Sequence, residues 1–129
     1  MPRGVSSPLA RVRKICLALP ETTERPSHGA PSFFIRDKVC FVNYMDNHHE
    51  DGRLALWCAS APGMRDGLVR ARPEQYFVPP YVGFRGWIGV RLDRHPDWDE
   101  VERIIREAYL AVAPKRLVAA LRSAGAPYP

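Results

Sequence analysis

The stretch from Gly86 to Tyr109 constrains the fold more than any other part of the chain. It reads as a strand over Gly86–Asp93 (GWIGVRLD), a break at His95-Pro96, and a helix that starts near Asp97. Side chains alternate along a strand, so Ile88, Val90 and Leu92 share one face while Trp87, Gly89 and Arg91 take the other. Glycine weakens a strand, so the missing side chain at Gly89 is expected to make room for close packing. Asp97 is placed to cap the helix, Glu100 to complete a variant of the capping box, and Pro96 to staple against Val101. Val101, Ile104, Ile105, Ala108, Tyr109 and Val112 recur at the spacing of a helix lying on a core. Glu102, Arg103, Arg106 and Glu107 form its polar face, with Glu102 and Arg106 spaced for an i, i+4 ion pair.

The remaining elements follow from the same rules. A helix is expected over Pro8–Leu19, capped by Ser7 and ended by Pro20. Residues 20–31 hold Pro20, Pro26, Pro31 and Gly29 and read as a loop. Ser32–Arg36 and Val39–Tyr44 form a hairpin joined at Asp37-Lys38, and Met45–Gly52 a solvated polar loop. Then come a strand at Arg53–Cys58, a short helix at Pro62–Ala71, a short strand at Tyr76–Val78 and an aromatic turn at Tyr81–Gly86. A last helix, Lys115–Arg122, ends at Gly125. Strands flanked by terminal helices indicate an α+β fold with a mainly antiparallel sheet packed against N- and C-terminal helices. The expected core includes Val12, Leu19, Phe41, Leu56, Ile88, Val90, Ile104, Ile105 and Tyr109.

At 129 residues one domain spanning 1–129 is expected, with residues 1–7 and 125–129 as flexible tails. No apolar run approaches a membrane span and the N-terminal MPRGVSS lacks the apolar core of a signal peptide, so a cytoplasmic protein with no membrane partner is expected. A monomer is also expected. Cys16, Cys40 and Cys58 have neither metal-ligand nor redox spacing and read as buried thiols. The net charge of +5 comes almost wholly from arginine and is uneven. Residues 1–19 carry Arg3, Arg11, Arg13 and Lys14 without an acid; residues 111–129 carry Lys115, Arg116 and Arg122, also without one; the helix between is net acidic. Such a field can attract polyanions, and it is also common on ordinary surfaces.

Arg36 and Lys38 fall at a hairpin tip and Arg85 in the turn before the Gly86 strand. Lys115 and Arg116 sit in a first helical turn, where the helix dipole disfavours cations, a cost that either a function or simple tolerance on a surface would explain. These five residues are the candidate DNA contacts. His28, Trp57 and Trp87 are candidates for a pocket, although a turn-stabilising histidine is the favoured reading of His28. His48, His49, Glu50 and Asp51 invite a metal reading, but adjacent histidines on a loop are poorly spaced to chelate one ion, so no metal and no cofactor are expected. The chain contains no G-x-S-x-G elbow, P-loop, H-E-x-x-H or G-x-G-x-x-G, and an enzyme is the least favoured class.

Several stretches together resemble the MmcQ/YjbR family of small bacterial proteins. They are Leu19-Pro20-Glu21, His28-Gly29-Ala30-Pro31-Ser32-Phe33, Lys38 with Phe41, and Pro73-Glu74-Gln75-Tyr76-Phe77. Tyr81-Val82-Gly83, Gly86-Trp87-Ile88-Gly89-Val90, Asp97-Trp98-Asp99-Glu100 and Tyr109 through Pro114-Lys115-Arg116 continue the match. The resemblance implies a fold similar to the bacterial frataxin homologue, a curved antiparallel sheet covered by helices on one face. It also implies a DNA-binding label that rests on a "double wing" likeness. Frataxins carry acids on their first helix for iron; Arg11, Arg13 and Lys14 here argue against iron. The function expected is therefore a non-catalytic module on the phosphate backbone of double-stranded DNA. The alternative is a protein- or small-ligand-binding adaptor that uses the His28 loop and the open sheet face at Trp57 and Trp87.

Overall fold

A computed structural model describes residues 7–124. Ser7 accepts the Ala10 amide at 3.1 Å and caps α1 (Pro8–Leu17), two residues shorter than expected. The tails at 1–6 and 125–129, with the Gly125 stop, lie outside the described residues. Six strands follow in an antiparallel sheet of order β1-β2-β3-β4-β6-β5. They are β1 (Thr22–Ser27), β2 (Ala30–Ile35), β3 (Val39–Asp46), β4 (Leu54–Cys58), β5 (Tyr76–Phe77) and β6 (Ile88–Arg91). α2 (Met64–Ala71) lies between β4 and β5, and α3 (Trp98–Val112) and α4 (Lys115–Ala124) close the chain.

The largest departure from expectation is β1, since its proline-rich sequence reads as a loop. β1 occupies the sheet edge, where a missing N–H costs no interior ladder bond. Pro26 faces Pro31 across the pair, so the two residues that cannot donate share one rung. His28 and Gly29, both with positive φ (52° and 81°), turn the chain into β2, the backbone signature of a two-residue hairpin turn. His28 is thus a turn residue. The next turn also uses left-handed residues, Arg36 (φ 54°) and Asp37 (φ 60°), and is one residue wider than the Asp37-Lys38 pair.

β3 carries a bulge. Phe34 pairs with Cys40 but Phe33 with Val42, leaving Phe41 as the extra residue. The bulge lets Phe41 join Val42 and Tyr44 in the core, where its ring meets Tyr109 edge-on at 5.6 Å. α3 packs over β3 and β4 and touches α1. All nine expected core residues are buried, with Val12, Phe41, Leu56, Ile88, Ile105 and Tyr109 fully enclosed. The Tyr109 hydroxyl donates to the Pro20 carbonyl at 2.8 Å, fixing α3 to the chain that leads into β1.

Asp97 caps α3 by accepting the Asp99 and Glu100 amides. Glu100 does not close a capping box. Its carboxylate accepts from Arg72 Nη1 at 2.8 and 3.0 Å and from the Tyr76 hydroxyl, joining the first turn of α3 to β5. Burial, then that hydrogen bond, pushes the Tyr76 phenol well above its usual range. Cys16 and Cys58 are buried and Cys40 half-buried; burial raises the pKa of each, so all three are held as thiols. No helix among the described residues is long and apolar enough to cross a membrane.

Candidate functional site

The face of the sheet away from α1 and α3 carries Asn43, Trp57, Gly89 and Phe77, paired in that order from strand to strand. A methyl group on Gly89 would collide with the Phe77 ring, so the glycine is what lets this ring lie flat on β6. Arginines cover the outer parts of this face: Arg25 lies 3.8 Å from the Phe34 ring centroid and Arg53 lies 4.0 Å from that of Phe77. Between them is a cleft of about 580 Å³.

His28, Trp57 and Trp87 meet in this cleft, although they come from a hairpin turn, a central strand and the approach to β6. Arg85 joins them, with its guanidinium carbon 5.4 Å from the Trp87 ring centroid. The segment carrying Arg85 and Trp87 is anchored from α2, where Arg65 Nη1 donates to the Gly83 carbonyl at 2.6 Å and the Trp87 carbonyl at 3.4 Å. On the floor, Asn43 Nδ2 donates to Ser32 Oγ at 2.7 Å and approaches Cys40 Sγ at 3.4 Å.

The Met45–Gly52 loop is solvated as expected at Asp46, Asn47, His49, Glu50, Asp51 and Gly52, all exposed, but His48 is half-buried. β3 and β4 stay paired out to Asp46 and Leu54, and the connection folds back over Trp57. The two imidazoles stack at 4.0 Å, and His48 stands edge-on to Trp57 at 4.8 Å and to Tyr81 at 5.9 Å. Burial, reinforced by the neighbouring His49, lowers the His48 pKa against the opposing pull of Asp51. Trp57 is only 4% exposed, and its indole N–H and the Nε2 of His48 are both buried without a hydrogen-bond partner among the described residues. No group of three or more His, Cys, Asp or Glu side chains among those residues is placed to hold a metal ion.

The five candidate DNA contacts do not form one patch. Arg36 is committed to Glu21 at 2.8 Å, and its neighbour Asp37 accepts from Arg25 and Thr23. Lys38 and Arg85 are exposed and have no acidic partner among the described residues. Their turns lie at the same end of the sheet, since Val42, Cys58 and Ile88 share a rung and Lys38 and Arg85 come just before it on the approaches to β3 and β6; Cys40 and Arg85 line the same cleft. Lys115 and Arg116, both exposed, open α4 in the helical layer. A second groove, of about 710 Å³, runs between α1 and α3, where Arg11 sits 4.6 Å over the Trp98 ring beside Lys14, Asp99 and Glu102. Its charges are mixed in sign.

Sequence reasoning missed that His48, His49 and Tyr81 line the same cleft as Trp57. A signal existed in the ring side chains of the two loops that flank β4 and β6, but nothing in their spacing showed that both fold onto the same sheet face.

The YjbR family model matches residues 17–111 of this chain. The crystal structure of the Deinococcus radiodurans protein DR2400 superposes with a TM-score of 0.69 at 20% identity, covering 90% of this chain and 86% of that one. At that identity the likeness shows the fold. No curated protein matches the chain.

Proposed function

The chain belongs to the YjbR family, and from that premise we propose a non-catalytic role in binding double-stranded DNA through its phosphate backbone. The observation that carries this reading is the pair of turns bearing Lys38 and Arg85 at one end of the sheet, exposed and free of acidic partners among the described residues. Two such cationic turns are suited to phosphates on either side of a groove. Lys115 and Arg116 add charge at the start of α4, where backbone amides also face outward. Arg36 is the weakest member of the set, because contact with phosphate would compete with Glu21. Beside Arg85, the ring of Phe84 is 88% exposed and gives the same turn an apolar surface for sugars or base edges.

Binding measured on unrelated duplexes over a range of salt concentrations tests the reading. Each true phosphate contact removed should reduce the magnitude of the log–log salt slope by about 0.9. Lys38→Ala and Arg85→Ala are each expected to do so, Arg36→Ala to do less, and Arg103→Ala on the acidic helix to leave the slope unchanged. Absence of binding by the wild type at low salt, or an equal effect of Arg103→Ala, would overturn the assignment.

A further inference from the structure

We propose that the cleft over Trp57 is a binding site for a flat aromatic group carrying an anionic substituent. The site shares Arg85 with the proposed duplex contacts but rests on its own observations, and it stands whether or not the protein binds DNA.

Three observations converge on this chemistry. The walls are rings: His48, His49, Trp57, Tyr81 and Trp87 surround a volume of about 580 Å³, within the usual range of small-molecule sites. Flat π-surfaces at several angles favour a planar guest by stacking and edge contacts. The lining includes Arg85 and contains neither Asp nor Glu, so the field inside favours an anion. Trp87 is only 4% exposed and Arg85 lies over it, so a guest enters against the exposed rings of Tyr81 and His49 and meets the Arg85 guanidinium with its acidic substituent.

The third observation is the indole N–H of Trp57, which is buried without an acceptor among the described residues beside the equally unpartnered His48 Nε2. A buried donor left unpaired is costly, and native structures keep few of them. A carbonyl oxygen or an unprotonated ring nitrogen on the guest would supply the acceptor. The turn that covers Trp57 is held in strained backbone, with Asn47, His49 and Glu50 all at positive φ. Its contacts to Trp57 and Tyr81 are ring edges.

The same guest chemistry arises in a free small molecule, such as an aromatic carboxylate or a mononucleotide, and in an unstacked nucleotide of a single strand. The test uses tryptophan fluorescence. The chain has three tryptophans, and Trp98 lies in the other groove, so a Trp98→Phe background leaves Trp57 and Trp87 as reporters. The probes are nicotinate, deoxythymidine 5′-monophosphate and an oligonucleotide of ten thymidines, compared with neutral thymidine and with non-aromatic cyclohexylacetate. Saturable quenching by the aromatic anions is expected, with cyclohexylacetate inert. Arg85→Ala should weaken the anionic probes by about tenfold and leave thymidine nearly unchanged, since it removes one charge-assisted contact. Tyr81→Asn, which keeps a residue tolerant of the left-handed backbone, should weaken charged and neutral aromatic probes alike. Preference for the oligonucleotide assigns the guest to a strand, and preference for the monomeric probes assigns it to a free molecule; either outcome upholds the site. It is overturned if no aromatic anion quenches saturably, if cyclohexylacetate competes equally, or if Arg85→Ala weakens thymidine as much as its phosphate.

Discussion

Single residues carry more of this architecture than their positions in the sequence suggest. Glu100 joins α3 to β5 by accepting from both Arg72 and Tyr76, and it is largely covered. Glu100→Ala leaves the Tyr76 hydroxyl without its acceptor and should cost about 1–3 kcal/mol in denaturant unfolding; a loss near zero would show that water replaces the carboxylate. Gly89→Ala should destabilise by a similar 1–3 kcal/mol, because the added methyl meets the Phe77 ring within a packed layer. His48 behaves differently, because its effect depends on pH. Its pKa is lowered in the fold, so below about 6.5 the unfolded chain binds a proton that the native cleft resists. Stability therefore falls as the pH drops through that value and levels off below the folded pKa. A thermal melt at pH 7.5 and at pH 5.5 should show a larger drop for the wild type than for His48→Asn; equal drops would mean that the imidazole is free to ionise.

At the scale of elements, α3 is the most dependable structure in the chain. Its stripe is continuous, its cap is formed, and Val101, Ile104, Ile105, Ala108 and Tyr109 are all buried. Ile104→Ala should cost about 2–5 kcal/mol, and a melting temperature equal to wild type would mean that this face does not pack on the sheet. The same periodicity made α3, β4, β6 and the core legible in the sequence, because a buried face repeats at the period of its own element. β1 was hidden because its signal is not periodic. Prolines that exclude a central strand are tolerated at an edge, and only the sheet order shows that Thr22–Ser27 is at one. The cleft was half legible. His28, Trp57 and Trp87 are conspicuous residue types, but their meeting depends on the β3 bulge, on the turn after Asp46 and on the anchoring of Gly83 and Trp87 by Arg65. None of these leaves a mark at fixed spacing.

For the whole molecule the question is whether a polyanion would respond to total charge or to its placement. A net charge of +5 produces a general attraction, whereas the proposed turns concentrate unpaired cations at Lys38 and Arg85. Around β1 and the β2–β3 turn, charge is already neutralised in the pairs Arg13–Glu24, Arg25–Asp37 and Arg36–Glu21. Paired surface charges add little to a long-range field, and salt screens what remains beyond about 8–10 Å. The two contributions separate if equal charge is removed from different places. Lys38→Glu/Arg85→Glu and Arg94→Glu/Arg103→Glu each remove four charges from the same total, and all four side chains are exposed. If placement governs binding, the first pair should lower the magnitude of the salt slope on duplex DNA by about 1.8, the value for two lost phosphate contacts, and the second pair should leave the slope near wild type. Equal losses from both pairs would mean that the protein is held by its overall field, and the two turns would then have no special part in it.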